Sequence, residues 1–288
     1  MTSTKLRSDR KYGMPTHFGP CCGPRQTPEG GRFITRGATE VTRITVNYLT
    51  NTAQVERILP PGLTLNGDPV VAVEFAYLKN IAWLAGRGYN TLGVRIPVIY
   101  KGETETVEGS FLAVLWENLA DPIIVGREQL GYPKIFAEMP EVVMDGEIMK
   151  CSASWLGFKF ADLEFTPQVK VPPEQVTKLL SGRPVGDGLI MSKYMPRTGG
   201  DWNEADASYF TMTPFPARAH SELPADTPAP ELTMGEGAFK FHPAEWEDMP
   251  TQYHIVNGLA GMEVLENRGA SMMKLYTNDD LLDQRILV

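Results

Sequence analysis

Residues 126–134 read Gly-Arg-Glu-Gln-Leu-Gly-Tyr-Pro-Lys, and the last of them could do chemistry. Lys134 directly follows a proline and lies among Leu130, Tyr132, Ile135 and Phe136. It is either a solvated charge on a strand edge or a buried amine. An exposed lysine titrates near about 10.4 and is mostly protonated at neutral pH. Transfer into apolar surroundings penalises the ammonium and frees the lone pair. A dry, uncharged amine can capture a carbonyl. An amine in bulk water, or one kept protonated by a carboxylate, cannot.

Other side chains could assist such an amine. Glu74 sits in the apolar run 70–78 with Ala72 and Ala76 on its own face, which leaves room beside its carboxylate. Its plainer reading is an ion pair with a neighbouring arginine. Tyr89, Tyr132 and Tyr253 could each donate a proton, although a strand tyrosine more often packs. His220, His242 and His254 titrate near working pH, but no two have ligand spacing. Arg127 and Glu128 read as a buried structural pair. Cys21 and Cys22 are adjacent and lack the usual spacing of metal ligands, so no metal is expected.

The elements that must position these groups are mostly strands. Residues 43–49 alternate, with Ile44, Val46 and Tyr48 on one face. Asn51 or Thr52 starts a short helix that the proline pair at 60–61 stops. Residues 70–78 form a strand with Val71, Val73, Phe75 and Tyr77 on one face. Strand patterns continue through 95–102 and 108–119. Residues 147–165 read as one long strand. A second short helix follows Pro172 and Pro173. Strands at 188–196 and 208–215 pair around a loop, 221–232 reads as loop, and 251–276 reads as further strands. Many short strands and few helices predict a mainly β (α+β) domain, antiparallel and closed into a barrel that leaves no exposed edge. Residues 1–32 are polar and rich in glycine and proline. We read them as an arm over the domain or a neighbouring subunit, with 33–288 as one domain.

The 288-residue chain carries a net charge of −8, which argues against nucleic-acid or anionic-membrane partners, since both need a basic surface. Three cysteines give no disulfide framework, so a reducing, cytoplasmic setting is expected. No signal peptide or membrane span is read in the sequence.

The segment "DPIIVGREQLGYPKIF" resembles the signature of the acetoacetate decarboxylase family, in which Gly-Arg-Glu leads, six residues after its Glu, to a lysine following a proline. The segments "NYLTNTAQVERILPPGL", "VVAVEFAYL", "YNTLGVRIPV" and "LIMSKYMPRTGG" are similar to further parts of that family. The resemblance implies a cone-like β-barrel and a cofactor-free lyase acting on a small keto acid. It implies that Lys134 forms a Schiff base and that Glu74 assists as the second catalytic residue. It implies that Arg36, with Arg43 as competitor, holds a substrate carboxylate, a task that suits the guanidinium. Thr91 and Tyr132 are expected to bind substrate, and a homo-oligomer is expected. Two departures matter. Ile135 stands where decarboxylating members usually have a second lysine, so the amine's acidity would come from desolvation alone. Thr91 stands where they tend to have a second glutamate. Decarboxylation is the default outcome. Aldol condensation with dehydration of a pyruvate-like substrate is the alternative, and a non-catalytic binding barrel is the rival of another class.

Overall fold

A computed structural model of the chain describes residues 6–33, 38–181, 188–215, 223–278 and 281–288. In chain order its elements begin with β1 (Thr39–Leu49), α1 (Thr52–Glu56), β2 (Leu63–Leu65), β3 (Val70–Ile81), β4 (Arg87–Lys101) and β5 (Thr106–Glu117). Then come α2 (Ala120–Val125), a π-helical turn (Gly126–Leu130), β6 (Lys134–Phe136), β7 (Val143–Asp145), β8 (Ile148–Trp155) and β9 (Phe158–Lys170). The chain ends with α3 (Pro173–Ser181), β10 (Gly188–Pro196), β11 (Ala205–Pro214), β12 (Glu231–Phe241), α4 (Tyr253–Ala260), β13 (Glu266–Thr277) and β14 (Arg285–Ile286).

The strands make one large, mostly antiparallel sheet in the order β14-β11-β10-β5-β4-β3-β1-β13-β12-β9-β8-β7. β2 pairs with β4, and β6 runs parallel to β5. Just past β6, Glu138 and Ser154 of β8 exchange backbone bonds of 2.7 and 2.9 Å. The alternation read from sequence decides which face is buried. Ile44, Phe75, Leu92 and Trp116 lie on neighbouring strands in register, and all are buried. Trp116 meets Phe160 of β9 at 5.1 Å and Phe241 of β12 at 6.3 Å, so distant strands share one apolar core. Each such aromatic contributes about 4–6 kcal/mol by the area it removes from water. Asn51 caps α1 by accepting from the Ala53 amide, as its side-chain chemistry suits.

Two sequence readings need correction. The stretch 147–165 is a hairpin, β8 and β9, turning at Leu156 (φ 45°) and Gly157 (φ 92°). The mirror-image turn conformation matches the twist of paired strands, and a Leu-Gly pair gives weaker notice of it than Asn-Gly. Residues 253–260 form the helix α4 rather than a strand, with Val256 and Leu259 buried. Its short apolar stretch fits either period, and docking on the core decides.

The arm is fixed to the rest of the chain by named contacts. Gln26 accepts from the Lys11 amide at 2.9 Å and donates to the Cys21 carbonyl at 2.7 Å. Gln129 in the π turn donates to Cys21 Sγ at 3.9 Å, so residues 11–26 lie against the segment that leads to Lys134. At the other terminus, Glu105 accepts from Arg285 Nη1 and Nη2 at 2.7 and 2.6 Å and from the Val288 amide at 2.9 Å. Arg285 holds the Glu105 carboxyl down from 4.5 to about 2. The folded-state value is depressed, so the stabilisation is full above about 4.5 and is lost as the pH falls toward about 2. Glu105→Gln is expected to lower the melting midpoint at pH 7 by about 2 °C, as befits a partly exposed pair. The gap to the wild type should close below pH 4.5, and thermal melts across the acid range read it directly.

Candidate active site

The segment from β5 to β6 folds back on itself for local reasons. Asp121 and Pro122 occupy the first turn of α2, where a carboxylate meets the positive helix end and a missing N–H is harmless. The helix widens into the π turn and stops at Gly131, whose φ of 80° is left-handed. Tyr132 N then bonds the Gly126 carbonyl at 3.0 Å, and the chain enters β6 at Lys134. Arg127 Nη1 donates to the Lys134 carbonyl at 2.9 Å. Arg127 and Glu128 do not pair, contrary to the sequence reading. Neighbours in sequence on a helical turn point in different directions, and Arg127 instead holds the backbone of the lysine. The loop is also tied from β10 and β11. Lys193 Nζ donates to the Glu128 carbonyl at 2.7 Å, Thr211 Oγ1 to the Leu130 carbonyl at 3.2 Å, and Tyr132 Oη to Thr213 Oγ1 at 2.9 Å.

Lys134 is 7% exposed. Its Nζ donates to the Pro122 carbonyl at 3.2 Å and lies 5.0 and 5.9 Å from the ring centres of Tyr132 and Tyr89. Gly126 makes room for it. A Cβ there would stand 2.4 Å from Lys134 Cδ and 2.9 Å from Nζ. The amine is therefore dry, but it is not free of charge partners. Glu117 Oε1 lies 2.9 Å from Nζ, and Glu117 is 1% exposed. Sequence reasoning missed Glu117. Its signal was present: a single carboxylate closing the apolar run of β5, in phase with Leu115 and out of phase with Trp116. The expectation that desolvation acts alone on the amine is corrected accordingly.

Burial pushes the Glu117 carboxyl up, and the adjacent Lys134 opposes that shift. Either proton placement leaves the pair neutral overall. With the proton on Glu117, Lys134 is an unprotonated amine hydrogen-bonded to an acid. Glu117 Oε2 is buried with no hydrogen-bond partner among the described residues. Such an orphan acceptor costs about 1–3 kcal/mol. Burial, with Glu117 and then Tyr132 adding to it, also pushes the Tyr89 phenol well up, so it keeps its proton.

Ladder register fixes the remaining candidates, because paired residues share a face. One rung runs Thr45, Glu74, Gly93, Leu115, Lys134, and the next runs Arg43, Ala76, Thr91, Glu117, Phe136. Glu74 thus shares the lysine's face but stands three strands away, about 14 Å at the backbone. It binds Arg95 at 2.7 Å and accepts from Thr45 Oγ1 at 3.0 Å, the ion-pair alternative of the sequence reading. Thr91 is buried directly opposite Glu117. Tyr132 flanks the amine. Arg43 is half-buried on the same face, and no carboxylate pairs with it among the described residues. Arg36 and His220 lie outside the described residues. His242 bonds Asp162 at 2.7 Å, while Tyr253 and His254 sit on α4, with Tyr253 packed on the core. Among the described residues no group of three or more His, Cys, Asp or Glu could hold a metal. No helix among them is long and apolar enough to cross a membrane.

Comparisons with known proteins agree with this geometry at the level of fold. A family model described as acetoacetate decarboxylase (ADC) matches residues 13–275. No curated protein matches the chain in sequence. The crystal structure of acetoacetate decarboxylase from Legionella pneumophila is similar with a TM-score of 0.61 at 18% identity, covering 88% of each chain. An acetoacetate decarboxylase-like enzyme from Sphingomonas wittichii RW1 gives 0.58 at 16% identity, covering 91% of this chain and 96% of that one. The enduracididine biosynthesis enzyme MppR, complexed with the condensation product of pyruvate and imidazole 4-carboxaldehyde, gives 0.56 at 15% identity, over 86% and 88%.

The contact at Gly126 supplies a test of the pocket itself. Gly126 has helical dihedrals (φ −62°, ψ −44°), so Gly126→Ala suits the backbone while its methyl group displaces the lysine. The variant should keep its melting midpoint within a few degrees. Its labelling of Lys134 by a carbonyl reagent, followed by peptide mass spectrometry, should fall about tenfold or more.

Proposed function

The chain belongs to the acetoacetate decarboxylase family, and from that premise we propose that it is a cofactor-free carbon–carbon lyase acting on a small keto acid through a Schiff base on Lys134. The observation that carries the reading is the dry amine of Lys134, held 2.9 Å from a buried carboxyl that can take its proton. Attack by the amine on a ketone gives a carbinolamine, and loss of water gives a protonated imine. The imine draws electrons from the bond beyond the α-carbon, so a carboxylate there leaves as carbon dioxide. Decarboxylation of a β-keto acid is the first reading.

The substrate's charge follows from the face that Lys134 occupies. The Lys134–Glu117 and Glu74–Arg95 pairs are each neutral overall, and Arg43 adds one positive charge among the described residues. That surplus suits an anionic substrate, although Arg43 stands on β1, four strands from Lys134, and would draw a carboxylate toward the face rather than clamp a small acid at the amine. A second reading, aldol condensation with dehydration of a pyruvate-like substrate, is favoured by Ile135 beside the lysine and Thr91 opposite Glu117. A relative of this fold, MppR, has been seen with pyruvate. We further read β6 and the Glu138–Ser154 bridge as the seam of a closed barrel. We read the arm as part of an oligomer contact, and the setting as cytoplasmic.

Incubation with a keto-acid panel that includes acetoacetate and pyruvate, followed by borohydride reduction and peptide mapping, tests the central step. A reduced adduct should appear on Lys134 and be absent from Lys134→Ala, which should also lose carbon dioxide release by about 10⁴-fold or more. An adduct on another lysine, or ligand binding that survives Lys134→Ala with no adduct anywhere, would turn the site into a container.

A further inference from the structure

We infer that Glu117 is the proton-transfer residue of this site, its Oε2 exchanging a proton with the α-carbon of a ketone bound to Lys134. The inference rests on the imine reading above and adds the group that makes and unmakes the enamine. The observations are geometric. Glu117 is 1% exposed, its Oε1 reaches Lys134 Nζ at 2.9 Å, and its Oε2 is a buried acceptor without a partner among the described residues. An oxygen that has lost water and gained nothing in the fold is completed by a donor that arrives from outside. A carbon joined to Nζ as an imine carries its α-hydrogens within reach of that oxygen.

The other titratable groups are committed elsewhere or face the site differently. Glu74 is bound to Arg95 and Thr45, and His242 to Asp162. Tyr89 holds its proton, and its ring lies 5.9 Å from Nζ as a wall of the site. Thr91, opposite Glu117 in the ladder, has a hydroxyl too weakly acidic and basic for the task. Among the described residues, Glu117 is the carboxylate in contact with the amine.

The steps balance. The neutral amine adds to the ketone, and a proton moves from nitrogen to oxygen to give the carbinolamine. Glu117, as the acid, protonates the departing hydroxyl, which leaves as water, and becomes a carboxylate beside the iminium. That carboxylate takes an α-proton through Oε2. The C–H electron pair becomes the carbon–carbon double bond, the iminium π pair returns to nitrogen, and Glu117 is an acid again. On the decarboxylation path Glu117 is still a carboxylate when carbon dioxide leaves, so it first takes a proton from water, and the same step run backwards then delivers that proton to the enamine carbon. Both outcomes proposed above therefore use one residue.

Methyl-proton exchange of pyruvate and of acetone in heavy water, followed by proton NMR, separates this role from the lysine's. Wild-type protein should exchange both ketones, and Lys134→Ala neither. The isosteric Glu117→Gln should slow exchange by about 100-fold or more yet still form the borohydride-trapped Lys134 adduct after prolonged incubation. Glu117→Asp, which keeps the carboxyl, should fall between them and carries the same comparison if the glutamine variant folds poorly. Wild-type exchange rates in Glu117→Gln with the adduct intact would overturn the inference. Loss of both adduct and exchange in a variant with an unchanged melting midpoint would also overturn it, because Glu117 would then only position the amine. Absence of an adduct in the wild type would instead overturn the imine reading on which it rests.

Discussion

One proton shared between two dry groups organises this part of the molecule. Lys134 and Glu117 are each almost fully buried, and either alone would be an expensive charge in that setting. Together they form a neutral unit whichever partner holds the proton. Burial and the ion pair act in opposite directions on Glu117, and burial acts more strongly. The carboxyl stands 2.9 Å from the amine, within reach of its proton. The features around the pair serve it. Gly126 leaves space for the lysine stem, the Pro122 carbonyl accepts a second hydrogen from Nζ, and Arg127 fixes the strand backbone from which the side chain springs.

The sheet supplies the aim. β5 and β6 run parallel, with Leu115 opposite Lys134 and Glu117 opposite Phe136. Glu117 and Lys134 are thus diagonal neighbours on one face, while Trp116 and Ile135 turn to the apolar core. Parallel pairing between segments so close in sequence needs a crossover, which α2 and the π turn provide. The crossover lies over the lysine and is held from outside by Thr211, Thr213, Lys193 and the N-terminal arm. Residues far apart in sequence therefore keep one short segment in place.

The sequence made Lys134 legible and its buried partner Glu117 not. Lys134 stood out because a lysine after a proline in apolar company is unusual, and because the spacing from Gly-Arg-Glu is specific. The strand faces of β1 and β3 and the cap at Asn51 followed from periodicity and side-chain chemistry. Glu74 attracted attention by the same logic that should have found Glu117, a carboxylate in an apolar strand. What separates them is ladder register, which places one three strands from the amine and the other beside it. Register depends on pairing between distant segments, so alternation along a single strand gives the face but not the neighbour. The hairpin at 156–157 and the helix α4 were lost for related reasons, an unusual turn pair and a run too short for its period to declare itself.

The balance of charge on this face also governs the fate of the enamine in the proposed reaction. On the proton-removal path the amine–carboxyl pair contributes no net charge as amine and acid, as iminium and carboxylate, or as enamine and acid, whereas loss of carbon dioxide leaves enamine and carboxylate until Glu117 takes a proton from water. The proton moves a short distance, and the surroundings need little reorganisation. In the proposed reaction, loss of carbon dioxide removes the substrate's anion, and hydrolysis of the remaining imine releases a neutral ketone. Proton removal from a pyruvate-like imine keeps the carboxylate, and the enamine, covalently held on Lys134 in the proposed reaction, can meet a second carbonyl. The same amine and the same carboxyl serve both reactions, and the partition between them falls to where the substrate carries its charge.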